Sequence, residues 1–320
     1  MSIGVGVGLA QNPFSSADAY WRWVQLCEES GVDSIWQTDR LVSSEPFLEC
    51  MSTMAALAGA TKKLKFGMNV ASLALRDPLL MAKQCATIDY LSNGRLLPAF
   101  GLGSNRSRDW VATNTATARR GKRMDEALQI LTRLWQGEKL TFKGEFYDYD
   151  EVAIAPLPVQ NPLPLWIGGS SDAAVRRTAE IGTGWQGSFE TPAEIGITVA
   201  KILDASAERG RYMDPDHMGM GFQFRFGNWD EPIVAKSAEA YRKRIGKDPA
   251  HAFAVGDADA IVGRIKDYVD NGIAKFILRP VGTDDEDLLA QTRLMVDEIM
   301  PEIAAMNTAR KAAKAAAAAE

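Results

Sequence analysis

The chain has 320 residues, 46% hydrophobic and 24% charged, which is the usage of an ordinary folded protein with apolar side chains enough for a large core. Its formal charge of -5, with the 36 basic residues dispersed, argues against a nucleic-acid partner, because neutralising phosphates needs a concentrated basic surface. A run of about 18 apolar residues and a basic-then-apolar leader are both missing, so a soluble, cytoplasmic protein without a membrane partner is expected.

Residues 3–9 alternate glycine with Ile, Val and Leu and read as a short buried strand that neighbouring backbone approaches closely. Ser15, with Asp18 three residues on, is a capping-box-like helix start; Tyr20, Val24 and Cys27 share one face before Gly31 stops the turn. Strand then helix recurs over 33–37 and 47–60, and over 64–70 and 78–91. Residues 95–101 read as a fourth strand, and Met124, Leu128, Leu131 and Trp135 mark an amphipathic helix. Alternation over 139–150 predicts a small hairpin, and the prolines of 156–164 an extended connection.

A fifth strand at 165–168 precedes a helix over 171–181, and a sixth at 184–188 precedes a helix over 192–208. The seventh falls within 218–226. The polar stretch 227–250 then breaks the rhythm and reads as an insertion, whose Trp229 and charges suit a mobile lid or a surface excursion. A helix with Ile261, Ile265 and Val269, a strand at 274–278 and a helix with Leu289, Val296, Met300 and Ile303 close the series. The Ala/Lys-rich tail, 306–320, is low-complexity and expected to fray.

Eight strand-then-helix units predict a (β/α)8 TIM barrel in one domain, residues 1–305, with an insertion after strand seven; a doubly wound sheet usually stops nearer five or six strands. The loops 37–42, 70–77, 101–109, 168–171 and 279–283 then share one face and one site. Cys27, Cys50 and Cys85 fall in helical patterns without a CxxC spacing, as reduced structural thiols do. His217 and His251 stand far apart with no HExxH pattern, so no protein-built metal site is expected.

Gly168, Gly169, Ser170 and Ser171 open a helix with backbone N–H groups and hydroxyls that can face an anion, though the same residues can form an ordinary N-cap. Gly101-Leu102-Gly103-Ser104-Asn105 places small residues at a strand end, where a planar ligand can approach. Gly6-Val7-Gly8 lacks the third glycine of a dinucleotide fingerprint. Asp39, Arg40 and Arg279 sit at strand ends and are the candidate catalytic residues, able to bind an anionic substrate or stabilise developing negative charge; the alternative is an Asp-Arg pair holding loops together. His217 precedes strand seven, at the opposite barrel end, and Trp36, Trp166 and Trp185 read as core or rim packing.

Several segments resemble luciferase-like monooxygenases, alkanesulfonate monooxygenases among them. They are residues 64–70, Leu-Lys-Phe-Gly-Met-Asn-Val; 87–95, Thr-Ile-Asp-Tyr-Leu-Ser-Asn-Gly-Arg; and 158–179 around Trp-Ile-Gly-Gly-Ser-Ser. Gly-Thr-Gly-Trp at 182–185 and Phe-Ile-Leu-Arg-Pro at 276–280 extend the likeness over nearly the whole chain. The resemblance implies a reduced flavin, FMN or the deazaflavin coenzyme, over the barrel mouth. It implies a non-prolyl cis peptide at Asn69-Val70 behind the ring, Ser104 and Asn105 beside it, and residues 168–171 at its phosphate. Deazaflavin-dependent relatives commonly carry Asp-His at the end of strand two and an acidic residue after the Gly-x-Gly of strand four; here Asp39-Arg40 and Ser104 stand instead, which favours FMN.

The resemblance therefore implies a monooxygenase taking dioxygen and a small organic substrate, with reduced FMN from a separate flavin reductase, in a homodimer or homotetramer. A deazaflavin-dependent dehydrogenase or reductase is the alternative, and a non-catalytic flavin-binding barrel a third.

Overall fold

The computed structural model describes residues 2–317. The chain begins with β1 (Gly4–Leu9), α1 (Ala17–Glu29), β2 (Ser34–Gln37), α2 (Cys50–Ala60), β3 (Lys65–Met68), β4 (Ala71–Ser72) and α3 (Pro78–Ser92). It continues with β5 (Leu96–Leu97), β6 (Ala99–Gly101), α4 (Asp109–Ala112), α5 (Arg120–Trp135) and the antiparallel pair β7 (Leu140–Lys143) and β8 (Asp148–Val152). Next come β9 (Trp166–Gly168), α6 (Asp172–Ile181), β10 (Gly184–Gln186), α7 (Pro192–Glu208) and β11 (Met218–Phe226). The last part holds α8 (Pro232–Ile245), β12 (Phe253–Gly256), α9 (Ala258–Val269), β13 (Lys275–Pro280), α10 (Asp285–Leu294) and α11 (Met300–Ala317).

The large sheet runs β4-β6-β9-β10-β11-β13-β1-β2-β3-β5, with β12 added on β11, and its ladders are parallel. β3 and β4 are one crossing interrupted at residues 69–70, and β5 and β6 one crossing interrupted at Pro98. The two ends of the order therefore meet: Phe66 and Gly67 pair with Leu96 and Leu97, while Ala71 and Ser72 pair with Phe100 and Gly101. This curled parallel sheet, with its helices outside, is an α/β fold of the TIM-barrel kind.

Alternate residues of each strand face inward. Trp36, Leu97, Ala99, Trp166 and Ile277 make a buried interior cluster with Val70 against it, whereas Val5, Ile35, Phe66 and Phe276 pack outward in the main core. The Trp36 and Trp166 rings meet edge-on at 5.9 Å, and two indoles leave no room for side chains opposite them. A Cβ on Gly184 would stand 2.7 Å from Trp166, and one on Gly67 would stand 2.7 Å from Trp36. Gly6 likewise faces Ser34 and the Trp36 indole, while Gly4 and Gly8 face the Lys275 and Ile277 side chains of β13, which gives the glycine alternation of β1 its physical cause.

Below the indoles, Lys275 reaches Asp33 at 2.7 Å, with Lys65 at 3.3 Å from the same carboxylate. Burial alone would raise Asp33, but the two ammonium groups and the Ser34 hydroxyl hold its carboxyl below the ordinary value. A depressed carboxylate adds stability above its unfolded pKa of about 3.9, and that stability is lost as pH falls through the lower folded pKa. Lys275→Met is therefore expected to leave Asp33 with weaker compensation and to move the acid-unfolding midpoint to higher pH. Circular dichroism through an acid titration reads the shift, and an unchanged midpoint refutes it.

The 87–95 segment, one of those that carry the family resemblance, is built for support. Asn93 (φ 59°) and Gly94 (φ 78°) turn the chain out of α3. Arg95 then donates to the carbonyls of Ala58, Thr61 and Leu64, tying the end of α2 to β3 and β5. Asp89 accepts from the backbone of Val159 and Gln160 at 2.8 and 3.0 Å and fixes the extended connection.

Some local expectations differ. The α1 N-cap is Ser16, which accepts from Ala19 N at 3.1 Å, because Ser15 is drawn to Asp285. The polar stretch 227–250 contains α8, whose Val234 and Tyr241 pack with Phe253, Val255 and Val281 in a satellite core. Trp229 lies against Phe253, 6.3 Å between ring centres, and is 44% exposed. Residues 306–317 of the tail continue α11, as alanine and lysine favour; residues 318–320 lie outside the described ones. Cys27, Cys50 and Cys85 are unbridged and buried. Among the described residues no helix is long and apolar enough to cross a membrane.

Candidate active site

The C-terminal ends of the strands open on a cavity of about 290 Å³. The peptide bond Asn69-Val70, where β3 passes into β4, is cis. It presents Val70 to two glycines: a Cβ on Gly101 would lie 2.5 Å from a Val70 methyl, and one on Gly168 3.0 Å from two. The Val70 methyls thus occupy space that is free only because β6 and β9 end in glycine. Gly103 (φ 72°) and Gly169 (φ 104°) make the adjoining turns in a conformation that disfavours a side chain.

Gln186, at the inward register of β10, donates to Asn69 Oδ1 at 2.6 Å. Its own Oε1 is buried with no partner among the described residues, an acceptor facing the cavity it lines. A buried unmet acceptor is costly unless an occupant donates to it. Sequence reasoning passed over Gln186, although its alternation with Gly184 marks it as inward. It also passed over Met124, Arg177 and Ser188, which reach the cavity from α5, α6 and the loop after β10. Arg177 is itself committed, donating to Asp125 at 2.6 Å and to Gly121 O at 3.1 Å.

The loop 168–171 behaves in parts as each of its two readings requires. Gly168, Gly169 and Ser171 line the cavity, and Ser171 caps α6 by accepting from Ala174 N at 3.3 Å. Ser170 Oγ donates to Glu190. Both hydroxyls therefore have protein partners, and what the loop offers an anion is backbone N–H groups and the positive end of α6. Ser104 and Asn105 sit on an exposed loop, and the cavity wall nearby is Gly101, Leu102 and Gly103. The Ser104 carbonyl accepts from Trp110 Nε1 at 2.8 Å, which holds that loop in place.

Asp39 is turned away from the cavity into an ion pair. Both its oxygens accept from Arg76 at 2.7 Å, and one accepts from Ser72 N at 2.9 Å. The sequence reading of an Asp-Arg pair holding loops is thus realised with Arg76 rather than Arg40. Arg40 stacks over Phe47 and Arg279 donates to Gly221 O at 3.1 Å, with the Nε of each buried and unpartnered among the described residues. His217 lies at the opposite end, its Nδ1 2.9 Å from Thr183 O. A second cavity of about 460 Å³ lies between the starts of α1 and α2, lined by Phe14, Tyr20, Trp21 and Leu48. It is larger but stands outside the barrel mouth.

Comparison with known proteins agrees with this architecture. An uncharacterized protein of Mycobacterium bovis is 35% identical over 173 residues, 53% of this chain and 58% of that protein, so the match spans little more than half of either. F420-dependent glucose-6-phosphate dehydrogenase of Amycolatopsis mediterranei is 24% identical with 95% and 99% coverage. Among solved structures, monooxygenase RslO1 from Streptomyces bottropensis superimposes with a TM-score of 0.81 at 18% identity, covering 94% of this chain and 99% of that one. An F420-dependent secondary alcohol dehydrogenase gives 0.79 at 19% identity, covering 93% and 98%. At those identities the structural likeness speaks for the fold alone. The model of the luciferase-like monooxygenase family matches residues 2–286, and with that match the chain belongs to this family.

Proposed function

We propose that this protein is a monooxygenase that binds reduced FMN and inserts one oxygen atom of dioxygen into a small organic substrate, with a separate flavin reductase supplying the reduced cofactor. The observation that carries the reading is the cradle at the barrel mouth. The Val70 methyls lie against Gly101 and Gly168 at the cavity wall, and Gln186 Oε1 is unpartnered among the described residues. A planar heterocycle with N–H groups on its edge fits that combination, and a phosphate tail fits the N-terminal end of α6.

When bound, the flavin supplies the redox chemistry with dioxygen, which no side chain can provide. The chain's own residues do the rest. Val70, Gly101 and Gly168 receive the ring, Asn69 and Gln186 orient it, and residues 168–171 hold the phosphate. The walls at Leu102 and Met124 exclude water. Oxidation of an alcohol by hydride transfer would need a group to take the hydroxyl proton. Asp39 is committed to Arg76 and His217 faces the other barrel end, which supports oxygen insertion instead.

A deazaflavin-dependent dehydrogenase or reductase is the second reading, favoured by the F420-dependent enzyme that aligns over 95% of the chain. Anaerobic titration with reduced FMN and with the reduced deazaflavin, followed by tryptophan fluorescence, separates the two. Tighter binding of reduced FMN, with oxygen uptake on adding air and substrate, is the expected result. Binding of the deazaflavin alone replaces the first reading by the second, and binding of neither by folded protein overturns both.

A further inference from the structure

The second cavity, of about 460 Å³, lies where the loop after β1 meets the start of α2, and the flavin reading of the barrel mouth makes no use of it. Phe14, Tyr20, Trp21 and Leu48 give it aromatic and apolar walls. The Tyr20 ring stands edge-on to Phe14 at 5.7 Å and to Trp21 at 5.0 Å, so the three rings fix one another. Asn12 N donates to Pro46 O at 2.8 Å and ties together the two loops that line the cavity. The volume falls within the range of about 300–1,000 Å³ of small-molecule sites.

Most polar groups of the lining are already engaged. Ser15 is drawn to Asp285, Ser16 Oγ accepts from Ala19 N, and Thr53 Oγ1 donates to Glu49 O at 2.9 Å. The Glu49 carboxylate accepts from Ser52 N at 2.7 Å and lies 3.3 Å from Arg76. Asn12 Oδ1 and the Tyr20 hydroxyl are different: both are buried without a partner among the described residues, and Tyr20 is only 5% exposed. Such groups are costly to bury unbonded, and an occupant that bonds them removes the cost.

Charge narrows the occupant further. Ser16 caps α1 and Glu49 caps α2, so the positive ends of two helices open on the cavity and disfavour a cation. Glu49 is the one charged side chain among the described residues of the lining, and its carboxylate disfavours an anion. We propose that this cavity is a binding site, separate from the barrel mouth, for a small uncharged aromatic molecule carrying a hydroxyl group. Its ring packs on Phe14, Tyr20 and Trp21. Its hydroxyl, donor and acceptor at once, serves Asn12 Oδ1 and the Tyr20 hydroxyl.

Benzyl alcohol is the probe in anaerobic isothermal titration of the full chain, with toluene, benzoate and benzylamine as controls. Benzyl alcohol is expected to bind, toluene about tenfold more weakly for want of the hydroxyl, and the two charged controls more weakly than benzyl alcohol. Tyr20→Phe keeps the ring and removes a hydroxyl without a partner, so it is expected to fold and to weaken benzyl alcohol by about tenfold. Ala56→Trp, at an exposed position of α2 in the lining, is expected to fill the cavity and abolish binding. Saturating reduced FMN is expected to leave benzyl alcohol affinity unchanged; because Ala56→Trp locates the probe without any cofactor, the result stands apart from the flavin reading of the mouth. Folded wild-type protein that does not bind benzyl alcohol, binding that survives Ala56→Trp, or displacement by reduced FMN overturns the site. Equal affinity for toluene, unchanged affinity in Tyr20→Phe, or tighter binding of either charged control overturns the class of ligand assigned to it.

Discussion

Asp39→Ala is expected to destabilise the protein by about 3 kcal/mol, through Arg76 rather than through any loss of chemistry. The side chains of Asp39 and Arg76 are 2% and 12% exposed, so removing the carboxylate leaves a guanidinium in a site that water scarcely reaches. Burial alone would depress Arg76; its bonds to Asp39 raise it above the ordinary arginine value. Breaking a buried pair from one side costs about 3–5 kcal/mol, and the lower end applies here because Glu49 remains 3.3 Å from Arg76. Asp39 also receives Ser72 N, so the variant loosens the strand end next to Val70 and weakens the cofactor as a secondary effect. Urea unfolding measures the loss. A variant of wild-type stability with abolished turnover would instead make Asp39 a catalytic residue.

Gly168→Leu is expected to lower cofactor affinity by about 100-fold or more, equivalent to about 2.7 kcal/mol. The first added carbon already stands 3.0 Å from both Val70 methyls, and the rest of a leucine side chain has only the cavity to enter. Gly168 ends β9 and is partly exposed, so the fold is expected to tolerate the change better than the site does. Fluorescence titration with reduced flavin reads the effect. Wild-type affinity in Gly168→Leu would remove the cofactor from this cavity altogether.

Strand and helix order was legible from residue 3 to residue 226 and again from the helix with Ile261 to residue 303, because these elements carry their own period of apolar residues and local turn chemistry sets where they stop. α7 and β11 occupy the predicted 192–208 and 218–226. The tertiary partner of a charged side chain was less legible. Asp39 lies next to Arg40 in the chain, yet it pairs with Arg76, 37 residues away, because the loops after β2 and β4 converge on one face. Likewise Ser104 and Asn105 continue a glycine-rich strand end, but the turn at Gly103 carries them onto the exposed loop while the wall stops at Gly103. The polar run 227–250 reads as an insertion because charged residues dominate it, yet Val234, Ala238, Tyr241 and Ile245 stand at spacings of 4, 3 and 4, a helical stripe that buries against β12 and Phe189.

The sequence by itself determined the repeating strand-helix series, the small residues at strand ends and the family resemblance, all of which depend on near neighbours in the chain. It also placed glycine at alternate positions of β1, although the reason lies elsewhere: side chains of the neighbouring strands, Ser34 and Trp36 from β2 and Lys275 and Ile277 from β13, fill the space beside Gly4, Gly6 and Gly8. Only the tertiary structure decided which polar groups have partners. A hydrogen bond or ion pair joins residues brought together by sheet closure, so the commitment of Asp39 to Arg76 and the unmet donors of Arg40 and Arg279 follow from the closed sheet and not from spacing along the chain.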